Sequence, residues 1–320
     1  MDEMTIRSRN LRVQTPIVFQ PHCRRFPPSQ PRFSHTRGPF ILITLIVGFL
    51  LILPQGNENT TMIRPFKVIQ GSHWDTWLLK TNRQGHLEWD RSYGGNNSDM
   101  PSQPSYRIAK SLVQTNDGGF ALTGHIFSID SLSDGNSDIW LVKTDVDGVM
   151  QWNQTYGESE LGKWNEAYAM VQTAEGGYVL AGVKGVVSYT DMWLVKTDSH
   201  GQLEWNKSYG RDTYDEAQSM IQTVDGGYAL VGRDWLVKVG VEGQLEWERT
   251  YGDVLNSIIQ TTDGGYAVLG AIQNLNNDWD FWLLKASSNG QHEWNRSYGG
   301  IDQDMPSFTP RSIIQTSDGG

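Results

Sequence analysis

A single cysteine, Cys23, leaves the chain without an internal disulfide and without the thiolates of a Cys-based metal cluster. Positive charge is scarce beyond the first residues. The chain holds 26 Lys and Arg against 36 Asp and Glu, a net charge of −10. Residues 1–39 carry seven Arg against Asp2 and Glu3, a balance of +5, so residues 40–320 carry −15. An acidic body lacks the basic face that a phosphate backbone requires, so no nucleic-acid partner is expected. The repeat region also lacks any 3.6-residue apolar period, which removes amphipathic helices from the expected fold. What is abundant is glycine and tryptophan, 34 and 13 residues. They suit a chain of tight turns and aromatic packing between strands.

Residues 40–53 read FILITLIVGFLLIL, fourteen residues without a charge, preceded by the seven Arg and ended by Pro54. Basic flank followed by apolar run is the order of a secretory signal or a signal anchor. As a helix the run reaches about 21 Å, short of the roughly 30 Å hydrocarbon core, which favours a signal-peptide core. The long preceding arm, and the lack of an A-x-A-like site after Leu53, favour an uncleaved membrane anchor. The expected organisation is a disordered basic arm (1–39), a hydrophobic helix acting as signal or anchor (40–54), a linker (55–63) and a repeat domain (64–320). The repeat domain is expected outside the cytoplasmic membrane, secreted or tethered through residues 40–53.

Repetition is the dominant pattern. Trp-Leu-x-Lys begins at Trp77, Trp140, Trp193, Trp235 and Trp282. A Gly-containing turn and a second Trp follow each, at Trp89, Trp152, Trp205, Trp247 and Trp294, and then Ser/Thr-Tyr-Gly. Gln-Thr-x-Asp/Glu-Gly-Gly begins at Gln114, Gln172, Gln222, Gln260 and Gln315, with an aromatic residue after the first four: Phe120, Tyr178, Tyr228 and Tyr266. Each unit reads as four antiparallel strands, with Gly in the turns and β-branched and aromatic residues in the strands. The units are expected at 111–156, 169–209, 218–251 and 257–298. Spacings of 63, 53, 42 and 47 residues between successive Trp-Leu-x-Lys motifs fit one propeller blade each, with loop insertions. The expected fold class is all-β, a β-propeller of about five four-stranded blades. Residues 66–71 read as the second strand of the first unit, and 311–316 as a first strand. Their pairing would close the ring. The alternative is a larger ring of which this sequence carries part.

The stretch from Lys196 to Trp205, with Asp198 and Gly201, resembles the tryptophan-docking turn of pyrroloquinoline-quinone-type propeller repeats, whose pattern is Ala-x-Asp-x-x-x-Gly-x-x-x-Trp. It is one residue shorter between Asp and Gly and keeps the Gly-to-Trp interval. It is also similar to the Asp-box of sialidase propellers, where that interval is shorter. As a whole, the Asp-Gly-Gly-Tyr repeat resembles secreted repeat proteins of archaea and bacteria with a propeller fold, over residues 64–320. Quinone-binding residues have no counterpart here, so the resemblance implies a fold and no cofactor.

A residue that recurs in every unit serves the scaffold. Lys80, Lys143, Lys196, Lys238 and Lys285 recur, as do Asp75, Asp138, Asp191, Asp234 and Asp280, taken as one position. Turn capping, strand-end hydrogen bonds or Asp–Lys pairing are their expected roles. The sequons at Asn153, Asn206 and Asn295 share a repeat position, whereas Asn59 and Asn96 fall in expected loops. Loops after the second and fourth strands vary in length and emerge on one face, where function concentrates. Trp74, Trp164, Trp279, Tyr189 and Tyr214 map to those loops and are the candidate ligand-binding residues, by stacking on sugars or gripping a protein. His73 and His125 are too isolated to define a metal site. The acidic loops at 130–138 and 302–304 are where Ca²⁺ would bind, but the first lacks an oxygen ligand at the third EF-hand position and Glu at the twelfth.

The expected function is an extracytoplasmic binding or scaffold module for cell-surface carbohydrate or protein, with no catalytic residues. A polysaccharide-active enzyme, glycosidase or lyase, is the alternative. It requires two carboxylates about 5–10 Å apart, and the single-copy loop acids available are Glu158, Glu160, Glu166 and Asp212. A quinoprotein dehydrogenase is the third reading.

Overall fold

The computed structural model describes residues 50–52, 59–67, 74–94, 105–128, 136–157, 163–186, 188–211, 214–273, 279–299 and 312–320, all within one compact unit, Ile46–Gly320. Among them there is no helix. Blade one contains β1 (Leu50–Ile52), β2 (Asn59–Lys67), β3 (Trp74–Asn82) and β4 (Leu87–Tyr93). Blade two contains β5 (Ser105–Gln114), β6 (Phe120–Ser128), β7 (Asn136–Thr144) and β8 (Met150–Tyr156). Blade three contains β9 (Lys163–Gln172), β10 (Tyr178–Val186), β11 (Tyr189–Thr197) and β12 (Leu203–Tyr209). The rest of the chain forms β13 (Ser219–Gln222), β14 (Tyr228–Val239), β15 (Leu245–Gln260), β16 (Tyr266–Gln273), β17 (Trp279–Ala286) and β18 (His292–Tyr298).

β14 and β15 each do the work of two strands. Extended, the twelve residues of β14 would span about 36 Å. Yet a Cβ added to Gly227 would sit 2.4 Å from the carbonyl oxygen of Val239, so the strand folds back on itself. It does so at Arg233, whose φ of 52° is the only positive value among the described non-Gly residues. β15 runs from the last strand of blade four into the first strand of blade five, turning at Gly252 (φ 81°). Pairing within each blade is antiparallel throughout.

The apolar core lies between blades. One cluster joins Leu78 and Tyr93 of blade one to Leu112, Phe120, Leu122, Trp140 and Val142 of blade two. The same arrangement recurs between blades two and three, three and four, and four and five. Alternate residues of each strand face opposite neighbours, as the two-residue side-chain period demands. In blade two, Phe120 and Leu122 face back, and Ala121 and Leu141 face forward. Neighbours are locked by a repeated joint. Tyr93, Tyr156, Tyr209 and Tyr251 donate their hydroxyls, at 2.5–2.7 Å, to the carbonyls of Gly148, Gly201, Gly243 and Gly290 in the next blade. Trp89 and Trp152 lie over the same glycines, where a Cβ would come within 2.7 Å of the indole. Their rings also meet Phe120 and Tyr178 edge-on, at 5.6 and 5.9 Å.

Three of the Gln-Thr-x-Asp-Gly-Gly turns hold the recurrent lysine through their Asp. Lys143 Nζ donates to Asp117 at 2.7 Å, to the Thr144 carbonyl at 2.7 Å and to Gln151 at 3.0 Å, so its three donors have three acceptors. Lys238 and Lys285 repeat the set with Asp225 and Glu246, and with Asp263 and Glu293. Lys143, Lys238 and Lys285 thus pair with the hairpin-turn acid and a strand-four carboxylate or amide, and Lys80 and Lys196 with the strand-four Glu88 and Glu204, rather than with the recurrent Asp near the start of strand three. Asp75, Asp138, Asp191 and Asp280 instead pack against Gly94, Gly157, Gly210 and Gly299 after the repeat Tyr. Asp234 is no member of that set, since it directly precedes Trp235 where the others stand two residues before their Trp.

Blade one departs furthest from expectation. Its second strand is Asn59–Lys67, which takes up part of the expected linker and puts Asn59 in a strand. Thr60 stands opposite Thr81 where later blades have the aromatic residue, and Arg64 stands opposite Trp77 where they have Gly. The expected helix at 40–54 lies outside the described residues except for Leu50–Ile52, which pairs with Thr61–Ile63. That pairing occupies the edge of β2 assigned above to 311–316. Residues 312–320 join no ladder, and Gln315 instead accepts from the Thr262 amide of blade five at 3.0 Å. Ring closure by the two ends is therefore absent among the described residues.

Two stability predictions follow from the joint and the clamp. Trp152→Ala should cost about 3–5 kcal/mol, whereas Tyr156→Phe should cost only about 1–2 kcal/mol, for one buried carbonyl left unpaired. Urea unfolding measures both, and equal costs would contradict the wedge. The hydrogen bonds from Lys143 and then Thr115 hold the Asp117 carboxyl down at about 2. That stabilisation is present above the usual Asp pKa of about 3.9 and fades as pH falls toward 2. Asp117 is 55% exposed, so Asp117→Asn should cost only about 0.5–1 kcal/mol at pH 7. The gap to wild type should narrow as pH falls below about 4 and close only below about 2, and a pH-independent gap would refute the clamp.

Candidate functional site

The five candidate aromatics sit at one end of the strands, and backbone pairing shows how. Trp74 opens β3 and bridges Tyr106 of β5. Tyr106 pairs with Phe127, Phe127 with Ser137, and Ser137 bridges Trp164 of blade three. Trp164 pairs with Gly185, Gly185 with Thr190, and Thr190 bridges Tyr214 of blade four. These eight positions form one unbroken row through four blades, and five of them are aromatic. At about 4.8 Å per step the row is about 33 Å long. Within the row Trp164 and Tyr214 are exposed, whereas Ser137 and Thr190 are buried. Trp164 is 37% exposed and Tyr214 45% exposed. Tyr189 (43% exposed) precedes Thr190 in this row and pairs with Val186.

Trp279, the first residue of β17, lies outside the row and pairs with Gln273. It forms one wall of a cleft of about 330 Å³ between blades four and five, with Arg233, Asp234, Gly252, Val254 and Gln273. Cleft and row meet at Arg233. Its guanidinium donates to the Tyr214 carbonyl at 2.8 Å, and the fold-back of β14 at this residue points it there.

The cleft floor is held by Arg211. Its guanidinium donates to Asp234 at 2.6 Å and to Asp215 at 3.0 Å, and it lies 4.6 Å from the Trp235 ring. Asp215 is fully buried and also accepts from the Arg211 amide at 2.7 Å, while its own amide donates to the Thr190 carbonyl. A buried carboxylate needs such pairing. These contacts fix Asp234 toward the cleft and Tyr214 beside Thr190. Sequence reasoning missed Arg211; the signal was a lone Arg after the repeat Tyr-Gly, just ahead of the unit with almost no loop between its second and third strands.

A polar group lies behind the row. Glu166, expected on a loop, is on β9 two residues from Trp164, and Glu216 stands two residues from Tyr214 at the same repeat position. Burial pushes both carboxyls up, and their mutual charge adds to this for Glu166. Glu166 lies 3.2 Å from His125 Nδ1, and Glu216 accepts from Gln218 at 2.8 Å. Burial, with Lys110 nearby, lowers His125 to about 4, so it is neutral at pH 7. No cluster of three metal-ligating side chains exists among the described residues. His73, Glu158, Glu160, Asp212 and the two acidic loops lie outside them, apart from the strand residues 136–138 at the end of the first loop. Among the described residues no helix is long and apolar enough to cross a membrane, and residues 40–49 lie outside them.

The strand pairing and the repeated joint make this a propeller-like, all-β repeat protein. No protein-family model matches the chain, and no curated protein matches it. Among solved structures it is similar to a protein of unknown function from Bacteroides caccae, at 11% identity and a TM-score of 0.41, over 76% of this chain and 94% of that one. It is also similar to the WD40 domain of Pan2 from Neurospora crassa, at 9% identity and a TM-score of 0.49, over 78% of this chain and 65% of that one. A puromycin hydrolase is similar at 12% identity and a TM-score of 0.43, over 76% of this chain and 37% of that one. The fold statement rests on the pairing, and no activity follows from these likenesses.

Proposed function

We propose that this chain is an extracytoplasmic carbohydrate-binding module that lays a glycan along the aromatic row and seats one sugar ring against Trp279. The row itself carries the reading. Residues from four blades, far apart in sequence, fall on one hydrogen-bonded line that ends at a cleft holding an indole, a carboxylate, an amide and a guanidinium. Sugars offer apolar ring faces and hydroxyl edges, which such a set matches. The charge of −15 on residues 40–320 opposes polyanions, so the favoured ligands are neutral hexose polymers at the cell surface. Location outside the membrane is supported by the Arg-rich arm and the apolar run 40–53.

A glycan array probed with the chain should retain neutral hexose oligosaccharides. Trp279→Ala should weaken that binding by at least about thirtyfold, equivalent to about 2 kcal/mol, while the thermal midpoint stays near wild type. Unchanged binding in the variant, or no neutral glycan retained, would remove the proposal. Protease added to intact cells should digest the repeat domain, and full protection would contradict the location.

Glu166 and Glu216 support the second reading, a glycosidase or lyase, because each raised carboxyl stands behind an aromatic of the row. Reducing-end release from a retained glycan, lost in Glu166→Gln and Glu216→Gln with binding intact, would favour the enzyme over the module.

A further inference from the structure

Blade four is built differently from its neighbours at the end that carries the aromatic row. In blade three, strand two runs past Gly182 to Val186, and strand three starts at Tyr189. In blade five the matching stretch runs from Gly270 to Gln273 and returns from Trp279. Blade four omits this stretch. Gly232, at the position of Gly182, is followed by Arg233 and Asp234 alone before Trp235. Gln273 and Trp279 therefore rise beside a shortened neighbour, and the space this leaves is the cleft of about 330 Å³.

Adjacent residues of a regular strand point to opposite faces, so only one of Arg233 and Asp234 would reach a cleft on one side. Here both line it. The cause is the backbone at Arg233, whose φ of 52° lies in the left-handed region. Glycine or asparagine is the ordinary choice at such a turn position, and a long side chain is held there at a conformational cost. Backbone outliers of this kind gather at binding sites. Both side chains are braced and keep hydrogen-bonding capacity. Arg233 donates to the Tyr214 carbonyl at 2.8 Å, which uses one of the five donors of its guanidinium. Asp234 takes the Arg211 guanidinium on Oδ1 at 2.6 Å, which leaves Oδ2 as an acceptor.

Resting on the binding module proposed above, we propose that Arg233 and Asp234 are its specificity-determining residues, and that together they read an adjacent pair of hydroxyls on the hexose seated against Trp279. One hydroxyl accepts from the Arg233 guanidinium and its neighbour donates to Asp234 Oδ2, while the ring face lies on the indole. Glucose and mannose differ at the second carbon, glucose and galactose at the fourth. Every adjacent pair of ring hydroxyls includes one of these carbons, so a site that reads such a pair tells the three sugars apart.

Isothermal titration calorimetry tests this with trisaccharides of glucose, of mannose and of galactose and with their monodeoxy analogues. The wild-type chain should bind one series at least about tenfold more tightly than another. Removing either of two neighbouring hydroxyls should cost it at least about tenfold. Arg233→Gly should become indifferent to one of those hydroxyls, with a thermal midpoint at or above wild type, because glycine takes a positive φ without cost. Arg233→Asn, which also tolerates the turn, should behave alike. Asp234→Ala, which leaves Asp215 on Arg211, should become indifferent to the other hydroxyl. An Arg233→Gly chain that keeps the wild-type preference, or binds all trisaccharides more weakly by one factor, would overturn the proposal, since a merely structural arginine acts without regard to a single hydroxyl. So would a fall in its thermal midpoint, or preferred binding of a uronic-acid trisaccharide, where Arg233 would pair a carboxylate. Trp279→Ala separates this role from the binding module itself. If Trp279→Ala weakens binding and Arg233→Gly does not, the hydroxyl-reading role fails alone. If no trisaccharide binds, or Trp279→Ala leaves binding unchanged, the binding module fails and the hydroxyl-reading role with it.

Discussion

The tyrosine hydroxyl bound to the next blade's glycine carbonyl, with a tryptophan over the same glycine, is the contact on which the rest of this structure depends. A four-stranded sheet with both faces apolar cannot bury itself. Blades two to four are covered on one face by the predecessor and on the other by the successor, so the core is divided into slabs between blades. Stability is then a sum of neighbour terms, as in other repeat proteins. The glycine requirement follows from geometry: its positive φ makes the turn, and its missing Cβ admits the indole.

That joint frees the strand ends for another use. With spacing set by the joint and charge absorbed by the lysine clamps, the loops after strands two and four can differ in length without moving the blades. Single parallel bridges between neighbours carry the register from blade to blade, so residues at the strand ends fall on one backbone row. Blade four adds a local irregularity, the fold-back at Arg233 and the Arg211 node, which opens the cleft at the end of the row.

Much of this was legible in the sequence because it recurs. Trp-Leu-x-Lys and Gln-Thr-x-Asp-Gly-Gly located strands three and the first hairpin, and eight of the ten repeat tryptophans meet a neighbouring blade, Trp77 and Trp294 being the other two. The lysine partners were not legible, since Asp117 precedes Lys143 by a whole strand and a loop, and only the folded hairpin brings them together. Blade one was misplaced because Thr60 and Arg64 replace the residues that mark the pattern elsewhere. Asp234 was misaligned by one because β14 has almost no loop to separate its halves. Trp164 and Tyr214 looked like unrelated loop residues, yet they share a repeat position with Tyr106 eight residues before the repeat Gln. Their common row is set by cross-strand register, which no single strand encodes. Glu166 was read as a loop acid because β9 starts earlier than the turn motif alone indicates.

The central claim is that the row and the cleft form one binding surface. Hydroxyl-radical footprinting of the tryptophans, with and without a neutral hexose oligosaccharide retained on the array, addresses it most directly. The account predicts that Trp164 and Trp279 lose reactivity together while Trp294, about equally exposed but on the blade-five face, keeps its own. Protection of Trp294 with Trp164 and Trp279 unchanged would contradict it.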